Sequence, residues 1–202
     1  MSGIRLIVGL GNPDAQYEGT RHNAGAFFVR RLAKQYDLSL APDRNALGES
    51  ARGNIAGHDL RLLIPETFMN ESGRSVAAMA RYYRIDPEEI LIAHDELDVP
   101  PGEARFKCGG GHGGHNGLRD IIPALGGQRE FWRLRVGIGH PGSAKQVSSW
   151  VLSKASADDQ TAIEASTESA LAALPLLLDG DGIKAMTALH SESHQPALPS
   201  ED

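Results

Sequence analysis

The chain has 202 residues, is 41% hydrophobic and carries a net charge of −6, which suits one domain with a sizeable core and excludes a disordered chain. Its single cysteine, Cys108, excludes an internal disulfide and fits a reducing compartment. The longest apolar run, residues 170–178, has nine residues and contains Pro175, whereas a membrane span needs about 18 or more; with no signal-peptide pattern, a soluble cytoplasmic protein is expected.

In chain order, Arg5 to Leu10 reads as a buried first strand. His22 to Tyr36 reads as a helix with Phe27, Phe28, Val29 and Leu32 on its apolar side. Gly48 to Ile64 suggests two strands turning at Ala56-Gly57-His58-Asp59, the second being Leu60 to Ile64. Ser72 to Tyr83 has helical spacing at Val76, Met79, Ala80 and Tyr83, and Asp86-Pro87-Glu88-Glu89 resembles a cap and first turn. Ile90 to Ala93 is another buried strand, ending in His94-Asp95-Glu96-Leu97-Asp98. A glycine loop, Gly109 to Gly117, precedes a short helix at Leu118 to Leu125 that Pro123 should weaken. Leu134 to Ile138 reads as a strand and Val147 to Leu152 as a short element. Ala157 to Leu178 and Ile183 to Leu189 read as closing helices. The domain is expected to span residues 1–190, and the polar tail 191–202 to be disordered. Strands alternating with helices, plus one hairpin, predict an α/β fold in which helices surround a twisted mixed sheet.

The overall charge argues against a nucleic-acid partner, but its distribution is uneven. Residues 105–154 hold eight basic and two acidic residues, whereas residues 158–202 hold nine acidic residues and one base. A local basic face can hold phosphates, because a surface field is set within a Debye length of roughly 10 Å. The alternative is a solvated surface on an acidic protein.

Sites in α/β sheets form beyond the carboxyl ends of strands. The segments there are Gly9-Leu10-Gly11-Asn12-Pro13 with Thr20-Arg21-His22-Asn23, His94-Asp95, Thr67-Phe68-Met69-Asn70, and the glycine loop. Gly9-Leu10-Gly11 is not a dinucleotide fingerprint, because Asp14 replaces the third glycine and Pro13 disturbs the turn. His22 and Asp95 can form a base and its orienting carboxylate, although each alone is commonly a cap or turn residue. Asn12, Asn70 and Asn116 can act as neutral donors where an oxyanion develops, or as simple turn residues. His112 and His115, with His94, Asp95 and Asp98, are an alternative set of metal ligands, though their spacing is not distinctive. Cys108 is read as a small apolar filler.

Five blocks, in order, resemble bacterial peptidyl-tRNA hydrolases. They are Val8–Pro13 with Tyr17 and Thr20–Gly25, Thr67–Asn70 with Ser72-Gly73, His94–Asp98, Gly109–Arg119 and Arg133–Pro141. They span residues 5–152, and beyond about residue 155 the likeness is weak. The resemblance implies a monomeric, metal-free, cofactor-free esterase acting on peptidyl-tRNA released from ribosomes, without an obligatory protein partner or a membrane. By the same resemblance, His22 is the general base, Asp95 orients it, Asn116 places the water and holds the peptide end, and Asn12 is the oxyanion donor. Asn12 and Asn70 bind the ester region and 3′ end, while Tyr17, Met69, Gly113 and His115 line the cleft. Lys107 and Arg135 clamp the tRNA 5′ phosphate. The other readings are a non-catalytic RNA-binding protein on this scaffold and a metal-dependent hydrolase.

Overall fold

The computed structural model describes residues 3–192. Along the chain, β1 (Leu6–Gly9) is followed by α1 (Ala24–Gln35), β2 (Ala41–Asp43), β3 (Gly48–Ile55), β4 (His58–Pro65) and α2 (Ser72–Tyr82). Then come β5 (Ile90–Glu96), β6 (Ala104–Cys108), α3 (Asn116–Ala124), β7 (Trp132–Gly137), α4 (Val147–Val151), α5 (Ala157–Leu178) and α6 (Gly182–Glu192). The strands form one seven-stranded sheet in the order β2-β3-β4-β1-β5-β7-β6. β4, β1, β5 and β7 pair in parallel, and β2, β3 and β6 pair antiparallel at the two edges. The expected mixed sheet within one α/β domain is therefore what forms.

The centre of the sheet is buried on both faces, which is why β1 and the first residues of β5 read as unbroken apolar runs. One core packs Phe28, Leu32, Leu62, Leu134 and Leu174 between the sheet, α1 and α5. The other packs Val8, Leu63, Val76, Ile92 and Ile121 between the opposite face, α2 and α3. The first core requires α1 to lie unusually close to the sheet. A side chain at Gly25 would run into the Ala93 carbonyl, and one at Gly9 would meet Gly25 and Val29. Glycine at these two positions lets the helix backbone touch β1 and β5.

Several boundaries differ from the expectation. His22 lies in a 3-10 turn, Arg21–Asn23, and α1 begins only at Ala24. The hairpin turns on Ala56 and Gly57 alone, both at positive φ, so β4 starts at His58. Asp86 to Glu89 forms a 3-10 turn leading into β5 and opens no longer helix. α3 starts at Asn116, which moves Pro123 into the last turn, where its missing N–H does less harm. β2 and β6 escaped the sequence reading. β2 is three residues with Pro42, and β6 alternates buried Ala104 and Phe106 with exposed Arg105 and Lys107, a short amphipathic edge rather than an apolar run. Ser191 and Glu192 end α6, and the rest of the expected tail lies outside the described residues.

A Gly25→Ala substitution should destabilise the protein by about 1–3 kcal/mol through overpacking against Ala93. Urea unfolding checks this; an unchanged midpoint would show that α1 can shift without cost.

Candidate active site

β4, β1 and β5 are adjacent and parallel, so their carboxyl ends deliver Thr67–Asn70, Asn12 and His94-Asp95 to one edge of the sheet. Asp95 is buried near the end of β5. The His22 turn lies above it, and His22 Nδ1 is 2.9 Å from Asp95 Oδ2 and 3.0 Å from Oδ1. His115 caps the N-terminus of α3. Its Nδ1 accepts the Gly117 N–H at 3.1 Å, and its Nε2 lies 2.8 Å from Asp95 Oδ1. An acceptor Nδ1 places the proton of neutral His115 on Nε2, so His115 donates to Asp95. His22 likewise donates from Nδ1, leaving its Nε2 lone pair free to take a proton.

Burial disfavours the charged form of His22, but the Asp95 charge and hydrogen bond more than offset it, and the His22 pKa is raised. Burial also works against the Asp95 carboxylate, yet the two imidazoles outweigh it and hold Asp95 well below the usual carboxylate range. His94, also buried, donates from Nδ1 to the Asp95 backbone carbonyl at 2.8 Å, and its Nε2 has no partner. Burial, reinforced by His115, lowers the His94 pKa to about 4. Among these three imidazoles, His22 combines a raised proton affinity with an unengaged nitrogen.

Asn12 and Asn23 lock together. The Asn12 N–H donates to Asn23 Oδ1 at 2.8 Å, and Asn23 Nδ2 donates to the Asn12 carbonyl at 3.0 Å. Asn12 Oδ1 accepts the Met69 N–H at 2.8 Å, which commits the amide oxygen and leaves the NH₂ as a donor. The His22 turn is anchored from outside by Arg21, whose guanidinium lies 3.4 Å from the Trp150 ring centroid and donates to the Trp150 carbonyl at 3.1 Å.

Three comparisons bear on this arrangement. A sequence model of the peptidyl-tRNA hydrolase family matches residues 6–197. The chain belongs to the peptidyl-tRNA hydrolase family. A peptidyl-tRNA hydrolase of Pseudomonas putida strain F1 is 59% identical over 192 residues, covering 95% of this chain and 99% of that protein. One from Shewanella halifaxensis strain HAW-EB4 is 58% identical, covering 95% and 98%. The crystal structure of the peptidyl-tRNA hydrolase from Acinetobacter baumannii has a TM-score of 0.91 at 53% identity, covering 94% of this chain and 95% of that one. The likeness thus extends well past residue 155, and the acidic closing helices belong to the family-matched region.

In this member of the peptidyl-tRNA hydrolase family, the structure gathers His22, Asp95 and His115 into one cluster. Met69 is buried, and its sulfur packs beside Gly117 at the start of α3. Asn116 is the exposed first residue of α3, and its Oδ1 accepts from Arg119 at 3.0 Å. Asn70 and Gly113 are exposed and Tyr17 is half-buried; no side-chain bond ties Asn70 or Tyr17 to the cluster. Lys107 and Arg135 lie on the paired strands β6 and β7. Arg135 is held at 2.8 Å by Glu96, the neighbour of Asp95.

The metal-ligand set read from the sequence is not assembled. His112 is engaged locally by the Gly114 N–H, and Asp98 is exposed. The three side chains that do converge fit a metal poorly, because both nitrogens of His115 are already committed. Sequence reasoning gave no role to Asn23 or Arg21 and offered His94 only as a ligand. Asn23 and Arg21 flank His22, and that adjacency is the one signal that pointed to them.

Asp95→Asn should lower the His22 pKa and cut turnover by about a hundredfold or more. NMR titration of the His22 imidazole, with turnover measured in parallel, checks both; an unmoved pKa would detach His22 from Asp95.

Proposed function

We propose that the chain hydrolyses the ester between a peptide and the ribose of its tRNA, with His22 as general base and no metal. The observation that carries this reading is the buried Asp95 carboxylate, which fixes the His22 tautomer and leaves His22 Nε2 to accept a proton from water. The water attacks the ester carbonyl, and the oxyanion is met by the Asn12 NH₂, whose orientation is set by Met69. Asp95 stabilises the imidazolium while it lasts. Return of the proton to the departing ribose oxygen restores the base. An ester is activated enough for this route without a covalent intermediate.

Asn116 places the water and holds the peptide end, Asn70 meets the 3′ end, and Tyr17, Met69, Gly113 and His115 line the cleft. A peptide amide is accepted where a free α-amino group would leave partners unsatisfied. Lys107 and Arg135 hold the 5′ phosphate of the acceptor stem, supplying affinity more than sequence choice. The unit is residues 1–190, acting as a cytoplasmic monomer; among the described residues no helix is long and apolar enough to cross a membrane, and Cys108 is unpaired. A non-catalytic RNA-binding protein would have no use for a carboxylate buried between two imidazoles.

Release of labelled peptide from an N-acetylaminoacyl-tRNA tests the proposal. His22→Ala should lose about 10²–10⁴-fold in kcat, and chelator should leave the intact protein unaffected. Equal cleavage by the variant removes His22 as base, and loss on chelation restored by metal revives the metal reading. Because the active form is deprotonated and the His22 pKa is raised, activity should rise with pH along a limb whose midpoint lies above about 6.5. A profile flat down to about pH 5 contradicts a histidine base.

Lys107→Ala should raise KM and reduce the slope of log affinity against log salt by about one. Binding measured at several salt concentrations checks it, and an unchanged slope would free Lys107 from phosphate contact.

A further inference from the structure

Beside the His22 turn lies a cavity of about 870 Å³ whose lining includes none of His22, Asp95 and His115. The interlocked pair Asn12 and Asn23 lines it, Asn23 being next to His22 in the chain, and Phe68, next to Met69, also borders it. The apolar part of the lining includes Ala26, Phe27, Ile64, Pro65 and Ile163. The charged part is predominantly acidic. Arg30 is bonded to Glu49 through two hydrogen bonds, of 2.9 and 3.2 Å, and its charge is also felt by Glu18 and Glu66, so the lining holds four acids against Arg21 and Arg30. Asp14, Glu18 and Glu66 are exposed, and among the described residues no basic side chain is bonded to them. The Arg21 guanidinium is directed to Trp150 and Ser153.

An ester carbonyl at the Asn12 amide carries two arms. The ribose arm leads to a polyanion, which an acidic rim repels. The acyl arm leads to a peptide, whose uncharged backbone and mixed side chains suit an apolar floor with a charged edge. The volume falls in the about 300–1,000 Å³ range of small-ligand sites, room for a short peptide segment and not for a folded RNA.

We propose that, with the ester-linked residue held at Asn116, this cavity receives the peptide residues that follow it away from the ester, and that its acidic rim favours lysine or arginine there over aspartate or glutamate. The proposal rests on the esterase reading given above. The peptide and the tRNA are then drawn to opposite sides of Asn12 by opposite charge.

The test uses N-acetylated peptidyl-tRNAs on one tRNA body, identical except for lysine or glutamate at the residue next to the ester-linked one, together with the N-acetylaminoacyl-tRNA that lacks that residue. The ratio of kcat/KM for the lysine and glutamate substrates should be about fivefold or more at low salt, as a partly screened excess of about two negative charges would give. In the Glu18→Lys, Glu66→Lys double variant the ratio should fall to one or invert, and the single Glu66→Gln variant should lie between. Both side chains are exposed, and a ratio within one protein is insensitive to the fraction folded. A ratio near one in the unaltered protein, or one unchanged in the variants, overturns the proposal. Cleavage of the N-acetylaminoacyl-tRNA alongside such a ratio leaves the esterase reading intact, whereas failure to cleave any of the three substrates overturns both.

Discussion

The Asp95 carboxylate is the constraint around which the site is arranged. An ionised carboxylate with this little access to water costs several kcal/mol unless its oxygens are met by donors. Two imidazole N–H groups meet them, His22 at 2.9 Å and His115 at 2.8 Å. Each donor comes from a different element, so one buried charge ties the turn before α1, the end of β5 and the first turn of α3 together. The tautomers follow in sequence. The backbone N–H groups at the start of α3 take His115 Nδ1 and force its proton to Nε2. Asp95 takes the His22 proton at Nδ1, and the nitrogen left over on His22 is the basic one. The arrangement also needs the helix close enough to the strand for His22 to reach Asp95. Gly25 against Ala93 permits that approach, which makes a packing residue part of the geometry that joins His22 to Asp95.

The central elements were legible because their residues are buried on both faces or on one continuous stripe. β1 and β5 are apolar runs, and α1 shows its Phe28–Leu32 face directly. β6 was not legible, since an edge strand with Arg105 and Lys107 on one side looks like a charged loop until β7 pairs with it. In the site, position at strand ends marked His22 and Asp95 as candidates, and family resemblance ranked them. Spacing could not tell His112 from His115. One turns back to Gly114 within the loop and the other reaches Asp95 across 20 residues. The Arg21 anchor on Trp150 joins residues 129 apart, and no local pattern encodes a contact of that range. The same holds for the double lock between Asn12 and Asn23, whose meaning lies in the fold that brings a strand end to a helix start.

The basic segment noticed in the composition changes character once its partners are seen. Arg133 turns under the glycine loop and donates to the carbonyls of Gly109 and Gly110, so it shapes that loop and is not displayed. Arg135 is bonded to Glu96 and Arg105 to Glu103, both acids from outside the segment. Arg119 is turned towards Asn116. Lys107 stands on the same face of β6 as Arg105, directly across from Arg133, exposed and, among the described residues, without a bonded carboxylate. A count of charges therefore overstates the field available to a phosphate: four of the eight basic side chains are turned to acceptors within the protein, whereas Lys107, Arg129, Lys145 and Lys154 are exposed and have no bonded carboxylate among the described residues. An anion that reaches Arg135 competes with Glu96 for it, and Glu96 is covalently next to Asp95 on β5. Arg135 on β7 is thereby tied to β5, the strand that carries Asp95, so the basic edge of the sheet and the buried carboxylate are joined through adjacent paired strands.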